Sequence, residues 1–255
     1  MIKHITNISQ FDVNNGVDHS YTQFNTTSPS FMLDPATWWL KDNEQFHNEA
    51  LKVHIRMDDV ESTNFKIMFG CTSAGAGRAL QFDFSATNKW VRLVNTSGID
   101  QVYDSVIEEV DMHSRRPFTD ALFVSLKIII SNNKLKCWFG NYFLFDIETF
   151  SISGTYWGAC NLTGSTKVYT GDVTAYSDQV LWGNVNLNGE PDDLGQVIVY
   201  NQDTYQVIDY TYCDSNGEYM VFLDDDPADM NKYFLYGFIP GIVYVQPRGV
   251  SNITL

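Results

Sequence analysis

Apolar and polar residues alternate over short runs along most of this chain, with the two-residue period of a strand. In KVHIRM, Val53, Ile55 and Met57 share one face and Lys52, His54 and Arg56 the other. RALQFDF repeats the pattern, with Leu80, Phe82 and Phe84 inward and Gln81 and Asp83 outward. ALFVSLKIIIS is apolar more continuously, as a central strand covered on both faces would be. KLKCWFG and NYFLFDIETF predict a hairpin turning at Gly140-Asn141, residue types that accept positive φ. Helical periodicity is nearly absent. Strands this short and frequent, separated by Gly, Asn and Ser, predict an all-β sandwich.

The rhythm changes near Ser177-Asp178. A long series of strands ends there, and turn residues then recur every ~8–12 positions, the spacing of a small seven-stranded sandwich. Gly183 and Asn188-Gly189 precede VIVY, then come QVIDYTY, CDSNG and YMVFL. The expected organisation is an arm over 1–29, a larger domain over 30–177 and a smaller one over 178–255. The arm is polar and weakly periodic. Alone it would be loose, so the expectation is that a neighbouring subunit or a packed sheet holds it. Trp157 and Trp182 flank the boundary and are expected to pack between the two sandwiches.

Composition narrows the function classes. Charged residues make up 18% and aromatics 15%, the balance of a folded chain. A net charge of −15, with no basic run longer than Arg115-Arg116, argues against nucleic acid as a partner. It suits solubility, or a basic or cation-bridged partner. No stretch approaches the ~18 apolar residues of a membrane span, and MIKHITNISQ lacks the apolar centre of a signal peptide. The expectation is synthesis in the cytoplasm without membrane insertion. Cys71, Cys137, Cys160 and Cys213 are scattered, without CxxC or His at ligand spacing, and read as buried free thiols.

Candidate chemistry is sparse. CDSNGEYMVFL brings Asp214, Asn216 and Gly217 together, but a calcium loop of the helix–loop–helix kind needs Gly at position 6 and Glu at position 12. Counted from Asp214, Gly217 falls at position 4, Glu218 at 5 and Asp225 at 12, so the stretch reads as a hairpin turn. Asp224, Asp225, Asp226 and Asp229 are a better cation candidate, calcium above all, against the plainer reading of a solvated loop opened by Pro227. Asp146 and Glu148 share one side of a strand with Cα atoms about 6.5–7 Å apart, a separation within glycosidase geometry. Their neighbours Phe145, Ile147 and Phe150 make this an ordinary strand with a wet side. His4, His19, His47, His54 and His113 are unclustered, and no Ser sits in a nucleophile elbow. Trp38-Trp39 could offer a ring for sugar stacking. Adjacent strand residues point oppositely, so one of the two belongs to a core.

Two resemblances add to this. The runs LKVHIRMDD, IMFGCTSAGAGRALQFDFSATNKWVRLV, FVSLKIIISNNKLKCWFGNYFLFDIETF and GTYWGACN make residues 30–177 resemble the concanavalin and laminin-G-like jelly rolls. GNVNLNGEP, VIVYNQDTYQVI, DSNGEYMVFL and YFLYGFIPG make residues 180–255 resemble the transthyretin-like, carboxypeptidase-regulatory-like sandwich, and RGVSNITL is similar to the closing strand of modules in tailed-phage virion proteins. Together they imply a lectin-like jelly roll followed by a smaller immunoglobulin- or transthyretin-like sandwich. The implied setting is a virion. The chain would be a non-enzymatic external accessory part (tail tip, baseplate, fibre or capsid decoration), present in several copies or as a homo-oligomer. Its partners would be other virion proteins and cell-surface glycan. The alternatives are a carbohydrate-binding protein acting alone, or a glycan hydrolase using Asp146 and Glu148.

Overall fold

The computed structural model describes residues 2–23, 26–42, 49–100, 105–113, 122–131, 133–140, 142–148, 150–152, 154–162, 165–177, 180–187, 190–191, 195–213, 217–222, 233–238 and 247–249. The chain forms two compact units. One comprises His4–Gly140 and Leu144–Ala175, and the other Met1–Lys3, Asn141–Phe143 and Tyr176–Leu255. Among the described residues the only helix is a single 3-10 turn, Ile8–Gln10, closed by a capping box in which the Asn7 side chain accepts from Ser9 N–H.

Strands up to residue 177 are, in order, β1 (Ile2–Ile5), β2 (Val13–Asn14), β3 (Val17–Gln23), β4 (Thr26–Leu33), β5 (Thr37–Asp42), β6 (Glu49–Met57), β7 (Ser62–Cys71) and β8 (Gly77–Ser85). They continue with β9 (Lys89–Thr96), β10 (Ser105–Asp111), β11 (Val124–Ser131), β12 (Lys134–Phe139), β13 (Tyr142–Ile147), β14 (Tyr156–Asn161) and β15 (Val168–Ser177). An eight-stranded sheet follows the path β13-β12-β11-β6-β15-β4-β3, with β1 beside β15. A seven-stranded sheet runs β10-β9-β8-β7-β14-β5-β2. Consecutive antiparallel strands make the outer part of each sheet, while β4, β5, β6, β14 and β15 alternate between the two. This is a two-layer, jelly-roll type of sandwich.

Alternation places the core where the apolar phases of both sheets meet. Val53 and Ile55 of β6, Phe65 and Ile67 of β7, Leu80 and Phe82 of β8, and Val91 and Leu93 of β9 are all buried. Phe82 lies edge-on to Phe139 across the layers, with centroids 5.1 Å apart. At the other end Phe11 stacks on Trp39 at 4.2 Å, and Trp157 meets Trp39 edge-on at 5.7 Å. The Trp39 indole N–H donates to Thr170 Oγ1 at 2.9 Å, joining β5 to β15 by a buried hydrogen bond. Trp157 is therefore interior to this sandwich and not a seam residue, because its phase on β14 points toward Trp39.

Residues 1–29 contain β1, β2, β3 and the start of β4. β3 pairs β4 from Val17↔Met32 to Gln23↔Thr26, and β2 pairs β5 at Val13↔Leu40. Ile5 and Phe11 are their core residues among those whose burial is described. Strands this short need few apolar anchors, hence the weak periodicity.

The other unit contains β16 (Val180–Asn184), β17 (Asn186–Leu187), β18 (Glu190–Pro191), β19 (Gln196–Asn201), β20 (Val207–Tyr212), β21 (Glu218–Phe222), β22 (Tyr233–Phe238) and β23 (Pro247–Gly249). β20-β19-β22-β23 form one sheet, while β16 pairs β21 and β17 pairs β18. The turn expected of CDSNG falls on 214–216, which lie outside the described residues. Before it β20 pairs β19, and after it β21 pairs β16. Gly217, just before β21, has φ +70°, a conformation suited to glycine.

Trp39 links both layers through stacking and a buried hydrogen bond, so Trp39→Ala should cost about 3–5 kcal/mol. Urea denaturation followed by circular dichroism checks this. A midpoint unchanged from wild type would show that the Phe11–Trp39–Trp157 cluster does not hold the sandwich together.

Candidate functional site

The candidate site lies on the face of the seven-stranded sheet that points away from the core. Antiparallel register brings side chains of successive strands into rows across it. One row is Trp38, Cys160, Lys66, Gln81, Arg92 and Glu109, each the cross-strand partner of the next. The row on one side is Leu40, Gly158, Met68, Ala79, Val94 and Val106, and on the other Asn64, Asp83, Trp90 and Asp111.

The apolar part of this face is a second small core. Leu40, Met68, Cys71, Ala79, Val94, Cys160 and Leu162 are buried, with Trp38, Ile99 and Tyr156 packed against them. Lys66 sits at its margin, fully buried, and its ammonium donates to Thr96 Oγ1 and to Gly98 O, both at 3.0 Å. Those bonds hold the turn after β9 in place over the sheet. Burying an ammonium without partners would cost several kcal/mol, so the turn and the lysine stabilise one another.

Beyond that cover the face is polar. The Arg92 guanidinium donates through Nη1 to Asp83 Oδ2 at 2.5 Å and through Nε to Glu109 Oε2 at 3.0 Å. It also lies 5.7 Å from the centroid of the Trp90 ring. The Arg92 side chain is 15% exposed, against 37% for Asp83 and 43% for Glu109, so the cation is held while its carboxylates face water. Gln81 is buried and donates through Nε2 to Asn64 Oδ1 at 2.8 Å, whereas its Oε1 has no hydrogen-bond partner. The result is a set of planar polar groups in fixed orientations, edged by one half-buried indole. Such a surface can hydrogen-bond a polyhydroxylated ligand and pack an aromatic ring against its C–H groups.

Trp39 is core and offers no stacking surface, while Trp38 lies on the outward face against the apolar cluster. Asp146 lies on β13 and Glu148 just past its end. Each is matched by a lysine, Asp146 with Lys136 at 3.4 Å and Glu148 with Lys134 at 2.5 Å. Asp224, Asp225, Asp226 and Asp229 lie outside the described residues, as do Asp214 and Asn216. Among the described residues no group of three or more His, Cys, Asp or Glu is placed to hold a metal ion. Sequence inspection missed Asn64, Trp90, Arg92 and Glu109. The available signal was KWVRLV, where Trp90 and Arg92 occupy the polar phase of a strand.

No protein-family model matches the chain, and no curated protein matches it. It is similar to several solved structures. The carbohydrate-binding module CBM66 from Bacillus subtilis is 14% identical, with a TM-score of 0.44, covering 65% of this chain and 94% of that one. The exoplasmic/lumenal domain of VIP36, in its calcium- and mannose-bound form, is 12% identical with a TM-score of 0.43, covering 64% and 81%. The galectin LEC-6 of Caenorhabditis elegans is 12% identical with a TM-score of 0.39, covering 62% and 100%. Likenesses of this size carry no information on ligand or activity.

All four cysteines are free and buried. Burial pushes the Cys71 thiol up to about 12, against smaller lowering from its backbone hydrogen bond and from Lys66. Burial likewise raises Cys160 to about 12, with Lys66 opposing and Asp100 assisting. The folded state therefore keeps protons that the unfolded thiols, at about 9, release. Stability is unaffected below pH 9 and falls between pH 9 and 12, by ~1.4 kcal/mol per pH unit for each thiol. Denaturation midpoints measured across that range should decline less steeply in Cys160→Ala than in wild type; parallel curves would contradict the assignment.

Proposed function

We propose that this chain is a non-catalytic glycan-binding protein whose binding surface is the polar part of the outward face of the seven-stranded sheet. The observation that carries this is the row Gln81, Arg92 and Glu109 beside Asn64, Asp83 and Trp90. It has fixed donors and acceptors next to an indole on a solvent-facing sheet. Sugars present paired hydroxyls and apolar C–H faces together, and a preorganised polar lattice with an aromatic neighbour complements both. Hydrolysis is disfavoured at this face, because Asp83 and Glu109 both accept from Arg92 and a general acid must donate a proton.

A virion setting is a second reading, supported by the resemblance of RGVSNITL, residues 248–255, to the closing strand of modules in tailed-phage virion proteins. Other virion proteins would be its partners, and the chain would occur in several copies. Sedimentation velocity of the purified chain tests the multi-copy part; a strictly monomeric species counts against it.

The binding proposal predicts retention on a glycan array. Isothermal titration with the best ligand should show at least about tenfold weaker binding for Arg92→Ala and for Trp90→Ala, with folding preserved by circular dichroism. Absence of any array signal, or full affinity in both variants, would overturn it.

A further inference from the structure

We infer that this face, if it binds glycans as proposed above, selects cationic ones: oligosaccharides of amino sugars with free amines, such as glucosamine oligomers. The inference rests on what the face leaves unmet. Arg92 is the cation at its centre, largely covered, and its guanidinium donates to Asp83 and Glu109. Three carboxylates border it: Asp83 on β8, Glu109 and Asp111 on β10. Among the described residues Asp111 accepts through Oδ1 from the backbone N–H of His113.

The nearby lysines do not offset these charges. Lys66 is buried, with its ammonium turned to Thr96 and Gly98. Lys89 reaches away to the carbonyl of Val60 at 2.9 Å. An independent feature has the same polarity. Gln81 is buried in the same row between Lys66 and Arg92, and its Oε1 is an acceptor that meets no donor. Around Arg92 the carboxylates outnumber the cation, while the unpartnered donor of the row, Trp38 Nε1, lies at its far end beyond Lys66.

A ligand rich in N–H donors and positive charge complements the exposed carboxylates, whereas uronic or sialic acids would set carboxylate against carboxylate. The indole of Trp90, already beside one cation, tolerates a second on electrostatic grounds. The chain's net charge of −15 adds attraction at longer range.

Isothermal titration of the full chain with three oligomers of equal length tests this: glucosamine, N-acetylglucosamine and galacturonic acid. The glucosamine oligomer should bind at least about tenfold tighter than the acetylated one, with affinity falling as salt rises. Asp111→Asn should remove most of that preference. Asp203→Asn, the same charge change at an exposed position of the other unit, should leave it intact.

Equal or tighter binding of the acetylated or galacturonic oligomer would overturn the inference while leaving the glycan-binding proposal standing. So would equal losses in Asp111→Asn and Asp203→Asn, since the preference would then be bulk charge. No binding of these oligomers or of any array glycan would remove both.

Discussion

A buried ammonium organises the outward face of the seven-stranded sheet. Lys66 occupies the middle of β7 with no exposed surface, and its two bonds, to Thr96 Oγ1 and Gly98 O, fix the turn that follows β9. With the turn fixed, Ile99 packs onto Leu40, Met68, Ala79 and Val94, and half of a face that would otherwise be wet becomes a second core. The cover stops at Lys66 and Gln81. Past that line, Asp83, Trp90, Arg92 and Glu109 stay within reach of solvent. The same desolvation that makes Lys66 depend on its partners raises the thiols of Cys71 and Cys160.

Register determines what stands in the part left open. β7, β8 and β9 pair without interruption, so Asn64, Gln81, Asp83, Trp90 and Arg92 keep one phase while Phe65, Phe82 and Val91 keep the other. A slip of one residue would exchange the two sets. β10 departs from this by a bulge. Val106 lies opposite Val94 and Glu108 opposite Leu93, so Ile107 is the inserted residue. After that insertion Glu109 and Asp111 return to the side of Arg92 and Trp90. The bulge thereby supplies two of the three carboxylates at the site, a use of bulges common where a side chain must be re-aimed.

The all-β class was legible from KVHIRM, RALQFDF and KLKCWFG, because alternation depends only on the chain's own two-residue period. The inward residues named from those runs are all buried. The positive φ at Gly217 suits the glycine that CDSNG supplies, because that requirement is local to one residue. Trp157 was misassigned to a seam because its neighbour in space, Trp39, lies far away along the chain. Gln81 was rightly placed on the outward side, yet it is buried, since nothing in RALQFDF announces that Lys66 and the turn at Gly98 cover its neighbourhood.

The sequence by itself determined the strand content and the inward and outward phase of the strands whose alternation is regular, because alternating side chains encode both locally. It also determined the acidity that sets the chain's long-range field. Only the tertiary structure decided that Asp83, Trp90, Arg92 and Glu109 form one surface. Their proximity comes from cross-strand pairing and from the bulge at Ile107, and neither has a local sequence signal. Which part of that sheet face meets water was likewise settled in three dimensions, by where a buried lysine anchors a turn.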